Sequence, residues 1–368
     1  MPTVKSFSEI QRVSVEPSSD RILSYVEAIR EATAMEMRRD QRVVVFGLDV
    51  DDPKAIQGTT KGLWEEFGKD RVFGTPLSED AMTGVAIGMA MAGLRPIHIH
   101  IRMDFLMLAM NQLINVAAKS RYMYGGTVSV PIVIRAMIGK SWGQGAQHSQ
   151  GLHSFFMHVP GLKVVAPSTP YDAKGCLLAA IRDEDPVIFV EHRMSHYQKG
   201  IVPLEEYEVH PGKARVTRVG RDVTIVGISY MQTECLHAAK LLEEVGIDAE
   251  VIDPIWLSPL DIDTICHSVE RTGRLIVVDT AWTSCGASAE MVAAVAERLS
   301  GIRDLKLVRI GFAPSTCPTS PTLETAFYPN AQKIAKKAFN LTEERDLNSF
   351  PSNSQISAEL DEAFKGPF

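Results

Sequence analysis

Residues 70–102, DRVFGTPLSEDAMTGVAIGMAMAGLRPIHIHIR, carry the decision about the fold. Asp70-Arg71-Val72-Phe73-Gly74 is a short apolar run ending in glycine and predicts a buried strand. From Glu79 to Ala92 small residues recur at Ala81, Gly84, Ala86, Gly88, Ala90 and Ala92. Such a segment predicts a helix that is deeply buried against a neighbour, because small side chains let backbones approach. Residues 97–101 alternate and predict a second strand. Strand, helix and strand in this order make a parallel pair joined by a crossover helix.

The alternation extends both ways. Upstream, a helix is predicted over 21–39, with Ile22, Leu23, Val26, Ile29 and Met35 at helical spacing, then a strand over 43–47 and a short helix over 59–68. Downstream come a helix over 105–119, strands at 130–134 and 162–165, a helix over 171–182 and a strand at 187–191. A second unit starts at Asp222, with strands at 223–228, 248–252, 275–279 and 305–310. Helices 231–245, 261–270 and 286–298 lie between them, and a last helix near 330–339 follows. The class is therefore α/β with two parallel-sheet domains. The expected division is an N-terminal arm 1–20, a first domain 21–195, a linker 196–212, a second domain 213–341 and a polar tail 342–368.

The chain has 368 residues, with 38 Lys and Arg against 45 Asp and Glu, a formal charge of −7. That balance argues against a nucleic-acid partner, which needs a basic face. The five cysteines form no CxxC pair, which fits a reduced intracellular setting. The N-terminus lacks the apolar core of a secretory signal, and no apolar run is long enough to span a membrane. A cytoplasmic protein with no membrane partner is expected. GxxxxGK[ST] and HExxH are absent, and no GxGxxG is well placed. No complete active site is legible, which suggests one shared with another chain.

Three places carry candidate chemistry. Glu79 follows a strand and opens the small-residue helix; it reads either as an acid favoured by the helix dipole or as a carboxylate aimed at a ligand. In the strand starting at Ile97, alternation sets His98, His100 and Arg102 opposite Ile97, Ile99 and Ile101. A polar face of this kind suits a cleft or a subunit contact, and equally an edge strand facing water. Ala146-Gln147-His148-Ser149-Gln150 follows a glycine-bearing loop and reads as ligand-facing or as plain surface loop. His153, His158, His192 and His196 read as structural.

Longer segments point to a family. They are Gly58-Thr59-Thr60-Lys61-Gly62-Leu63, Thr75 to Glu79, Ala92-Gly93-Leu94-Arg95-Pro96, Asp104-Phe105, and Asn115 to Lys119 with Arg121 to Gly126. Ala146 to Gln150, Pro160 to Val165 and Asp172 to Gly175 continue the series. In the second unit Asp222 to Val226, Glu250 to Asp253, Pro259 to Asp261 and Thr272 to Leu275 complete it. Over about residues 20–340 the chain resembles the β subunits of thiamine-diphosphate-dependent 2-oxoacid dehydrogenases, the decarboxylating component of pyruvate, branched-chain and acetoin systems.

The resemblance implies a transketolase-like pyrimidine-binding domain followed by a transketolase C-terminal domain. It implies that Glu79 contacts N1′ of the coenzyme's aminopyrimidine, that Phe105 packs on that ring, and that His148 serves the reacting centre. It matches Ile132, Ala180, Ile181, Asp183 and Asp185 to positions that bind structural potassium in some members. The GDG with a downstream Asn that holds magnesium and diphosphate does not occur; Gly47-Leu48-Asp49 imitates it poorly. The family places that half on an α subunit, which implies an α2β2 heterotetramer and a chain inactive alone. The implied reaction decarboxylates a 2-oxoacid and passes the acyl group to a lipoyl-bearing acyltransferase. Half of a split transketolase and a non-catalytic structural subunit are the alternatives.

Departures from the pattern fall on the substrate side. Members commonly carry Glu and an aromatic where Ile99 and Arg102 stand, and Thr280 replaces a usual acid. The expectation is that Arg102 or His100 meets an anionic group on the substrate or on a partner chain.

Overall fold

The computed structural model describes residues 21–52, 55–140, 143–301 and 304–343. The N-terminal arm and nearly all of the polar tail expected from the sequence lie outside these residues. The first unit runs β1 (Ile22–Ser24), α1 (Tyr25–Arg39), β2 (Val43–Gly47), α2 (Leu63–Phe67), β3 (Val72–Gly74), α3 (Glu79–Met91) and β4 (Arg95–His100). It continues through α4 (Met103–Leu106), α5 (Ala118–Met123), β5 (Val133–Ile138), α6 (Ser154–Met157), β6 (Lys163–Val165), α7 (Pro170–Arg182), β7 (Val187–His192) and β8 (Lys199–Ile201). The second comprises β9 (Arg215–Arg218), β10 (Val223–Gly227), α8 (Met231–Glu243), β11 (Ala249–Asp253), β12 (Trp256–Ser258), α9 (Ile262–Thr272), β13 (Arg274–Val278), α10 (Ala287–Arg298), β14 (Lys306–Ile310), α11 (Pro321–Phe327) and α12 (Ala331–Glu343).

Seven strands form the first sheet in the order β12-β6-β7-β5-β4-β2-β3, parallel except for β12. β2, β4, β5 and β7 are buried along their whole length, as central parallel strands covered by helices should be. The edge reading of the His98–His100 strand is therefore excluded: β4 pairs with β2 on one side and β5 on the other. The second sheet runs β14-β13-β10-β11-β9, with β9 antiparallel at its edge. Among the described residues no helix is long and apolar enough to cross a membrane.

Local chemistry sets the helix ends. Ser24 caps α1 and Glu27 reaches back to the Ser24 N–H at 2.8 Å, a reciprocal box that satisfies two orphan donors. That box also corrects the expected helix start, because residues 22–24 are extended and pair with β8. The expected strand at 130–134 begins instead at Val133, since Pro131 has no N–H to give a ladder. The expected helix 105–119 is broken into α4, a 3₁₀ turn at Met107–Ala109, a π-helical stretch at Gln112–Ala117 and α5.

Helix α3 also departs from expectation. One face, Thr83, Ala86, Ile87 and Ala90, is buried, but Ala81, Val85, Gly88 and Ala92 lie exposed in this single chain. The stretch expected as a linker is not a free tether. It contributes β8, buries Val202, and supplies the Pro203 carbonyl that accepts from Lys174 Nζ at 2.6 Å.

The two units are joined by a buried polar cluster. Asp253, at the end of β11, accepts from Ser168 Oγ and from the Ile255 N–H, beside the Asp172–Arg215 ion pair at 2.6 Å. Burial, then the neighbouring Asp172 charge, push the Asp253 carboxyl up to about 7. The native state therefore keeps a proton that the unfolded chain releases between about pH 4 and pH 7, and this contribution to stability fades as pH rises through that window. Asp253→Asn is expected to gain on the parent in urea midpoint from about pH 5 to about pH 7.5. An unchanged difference between the two pH values would remove Asp253 as the cause.

Candidate active site

A parallel sheet opens a crevice beyond the carboxyl ends of its strands. Here that crevice is a cavity of about 220 Å³ at the ends of β2, β3, β4 and β5. The structure brings Glu79, His98, His100, Arg102, Phe105 and His148 together on its wall.

Glu79 is the first residue of α3, half-buried, and the Ser78 side chain before it makes no capping bond. Among the described residues the Glu79 carboxylate has no hydrogen-bond or ion-pair partner, so it is free to receive a ligand. Phe105, on α4, is 37% exposed and meets the His148 imidazole edge-on at 5.0 Å between centroids. Asp104, a residue sequence reasoning did not single out for this site, fixes that pair. Its Oδ1 accepts from the Gln150 amide at 2.9 Å and from the Gln150 N–H at 3.2 Å, which ties the 146–150 loop to α4. Burial pushes the Asp104 carboxyl up, against those two bonds and the Arg102 charge. Gln144, also missed, lines the cavity with its Oε1 unpartnered; only its place in the glycine-bearing loop hinted at it.

The polar wall of β4 is neutral except at its end. The His98 and His100 rings meet at 4.3 Å, and His98 stacks on Phe46 at 4.7 Å. Burial pulls the His98 pKa down to about 4, and burial with the His98 neighbour pulls His100 well below the usual imidazole value. Neutral His98 can then donate from Nδ1 to the Phe46 carbonyl at 3.3 Å, leaving Nε2 a buried acceptor without a partner. Arg102 lies just past β4 and stays charged, although burial draws its pKa to about 10. Its Nη1 donates to the Gly139 carbonyl at 3.2 Å. Position 139 must be glycine: φ is +88°, and a Cβ there would stand 2.1 Å from His192 Nε2.

Two histidines read as structural prove to hold the site in place. His153 Nε2 faces Asp279 Oδ1 at 3.0 Å with both side chains fully buried, linking the segment just after the 146–150 loop to the second unit. Gly151 rests so close to the Thr280 carbonyl that a Cβ would fall 2.0 Å from it. His196 bridges Glu191 at 3.2 Å and the Gln57 amide at 2.6 Å.

The residues matched to a potassium site form a separate group at the opposite end of the sheet. The Ile132 carbonyl accepts from the Val187 N–H, and those of Ile181 and Asp183 accept from Arg95 at 3.0 and 3.1 Å. The Ala180 carbonyl accepts from the Asp183 N–H. Lys163 holds the Asp183 carboxylate at 2.6 Å and reaches Asp185 at 3.3 Å. Among the described residues no group of three or more His, Cys, Asp or Glu could hold a metal ion.

Fold and cavity together define a chain of the transketolase type: the pyrimidine-binding domain of transketolase matches residues 22–198 and the transketolase C-terminal domain residues 212–334. The β subunit of acetoin:2,6-dichlorophenolindophenol oxidoreductase from Cupriavidus necator is 45% identical over 328 residues, 86% of this chain and 97% of that one. The 2-oxoisovalerate dehydrogenase β subunit of Bacillus subtilis is 41% identical, over 88% of this chain and 99% of that one. The chain belongs to the family of β subunits of thiamine-diphosphate-dependent 2-oxoacid dehydrogenases. Among solved structures, an inactive β4 tetramer of a split-gene transketolase superposes with a TM-score of 0.68 at 23% identity, over 87% of this chain and 99% of that one, a likeness of fold alone.

Proposed function

We propose that this chain is the β half of an enzyme that oxidatively decarboxylates a 2-oxoacid and passes the acyl group to a lipoyl-bearing acyltransferase. The observation that carries the reading is the meeting of Glu79, Phe105 and His148 in one cavity at the carboxyl ends of the sheet. A free carboxylate beside an exposed flat ring suits an aminopyrimidine, which offers ring nitrogens and an apolar face. Thiamine diphosphate, when bound, supplies an electron sink for loss of carbon dioxide from the oxoacid. With the coenzyme bound, Glu79 would hold the pyrimidine through a proton-sharing contact of its carboxylate, Phe105 would align the ring, and the His148 imidazole would hold or yield a proton beside the reacting centre. The Asp104–Gln150 bonds keep His148 on Phe105. Identity of 41% and 40% to 2-oxoisovalerate and pyruvate dehydrogenase β subunits favours this reading over a split transketolase, whose solved chain is 23% identical.

An α subunit completes the site by holding diphosphate and magnesium, in an α2β2 assembly. The exposed stripe Ala81, Val85, Gly88 and Ala92 on α3 supports such a partner, since small residues allow close helix packing. The expected result is no decarboxylation by the isolated chain, and turnover on mixing with an α chain that carries the GDG motif. Turnover by this chain alone would refute the division of labour. The proposal extends to potassium at the carbonyls of Ile132, Ala180, Ile181 and Asp183, where the cation would have to displace the Arg95 guanidinium from two of them. The same reconstituted enzyme is then expected to melt higher in potassium than in sodium at equal ionic strength.

A further inference from the structure

Arg102 is 2% exposed and lines the cavity with Glu79, Phe105 and His148. Only its Nη1 is occupied; Nε and Nη2 are buried with no partner among the described residues. Asp104, two residues on, turns one oxygen to Gln150 and makes no ion pair with it. The vacant Nε–Nη2 edge is the one this chain uses elsewhere on carboxylates. Arg135 grips Glu191 with it at 2.6 and 2.9 Å, Arg38 grips Glu66 at 2.6 and 2.8 Å, and Arg42 uses it on Asp40. A guanidinium buried with an open fork is costly until an oxyanion fills it.

We propose that Arg102 receives a second anionic group of the substrate, so that the natural substrate is a dianionic 2-oxoacid. The inference rests on the oxoacid reading above. The carboxylate next to the keto group is the wrong occupant, because it leaves as neutral carbon dioxide. A strong pair with it would stabilise the ground state and not the transition state. A distal carboxylate or phosphoryl group persists through the reaction, and its binding energy helps position the reacting end. His98 and His100 add polarity beside Arg102 without adding negative charge.

The test uses the complex with its α subunit and compares kcat/KM for 2-oxobutyrate, 2-oxosuccinate, 2-oxoglutarate and 3-phosphonopyruvate. The parent should favour dianionic acids by about 30-fold or more, the carboxylate and phosphonate arms telling which oxyanion it prefers. Arg102→Met should bring that ratio toward one, and Arg102→Lys should keep part of it. A parent that favours 2-oxobutyrate, or an unchanged ratio in Arg102→Met, overturns the proposal. Failure of Arg102→Met to assemble, with Arg102→Lys assembling normally, overturns it too and gives Arg102 to a subunit contact. If the complex binds thiamine diphosphate and turns over none of the acids, the oxoacid reading itself falls.

Discussion

Replacing Glu79 with Gln in the assembled complex lowers oxoacid turnover about 10²–10⁴-fold, the usual cost of losing a positioned proton-transfer group. The amide keeps the size and the hydrogen bonding of the side chain but cannot hold the shared proton. Because the Glu79 carboxylate has no partner within the described chain, folding should hardly notice the change, with stability within about 0.5 kcal/mol of the parent. Turnover at saturating coenzyme, read beside a thermal melt, separates the two effects. Activity retained within a few-fold would show that position 79 does not govern the proton, and a structural role alone would explain its place at the helix start.

The largest expected effect on stability lies at Arg135, on the central strand β5. Its side chain is fully buried and holds Glu191 of β7 with two bonds, while His196 braces the other side of the carboxylate. Burial alone would push the Glu191 carboxyl up; the Arg135 charge and the His196 bond outweigh it and hold the pKa at about 2. Arg135→Met leaves that buried carboxylate with the His196 contact alone and should cost about 3–5 kcal/mol in urea unfolding. The double variant Arg135→Met with Glu191→Leu should regain most of the loss, since an apolar pair needs no compensation. The sign with pH follows from the lowered value. The pair's contribution is whole above the unfolded carboxylate pKa of about 4.3 and fades as pH falls toward 2. A single variant costing under about 1 kcal/mol would mean that water or a shifted side chain reaches Glu191.

The alternation of strand and helix patterns was enough to read two parallel sheets, because Val43 to Gly47 is a continuous apolar run and Val223 to Gly227 is one interrupted by Thr224. What periodicity could not carry was long-range pairing. Residues 256–258 are three residues bounded by Pro254 and Pro259, and only their antiparallel partner β6 makes them a strand. β1 and β8 likewise exist because each meets the other. At the site, Glu79 was visible at a helix start and His148 in a loop, each following a strand, but their neighbourhood is set by sheet order. The polar face of β4 was ambiguous for the same reason, since alternation shows a face and not what covers it. Asp104, read only as part of a family segment, was given no place in the site because its role is a contact with Gln150, forty-six positions away in the chain.

One strand has a bearing on how such a protein is inherited. Trp256–Ser258 belongs to the second unit by sequence and to the first sheet by pairing, and the Trp256 indole is sealed inside with its Nε1 on the Val209 carbonyl at 2.9 Å. A cut or gene fission near residue 212 would strip the outer rail from β6 and bare the backbone of Val164 and Val165 as a template for stray strands. The halves would travel poorly as separate modules, so a shuffled gene must carry both or supply a substitute rail.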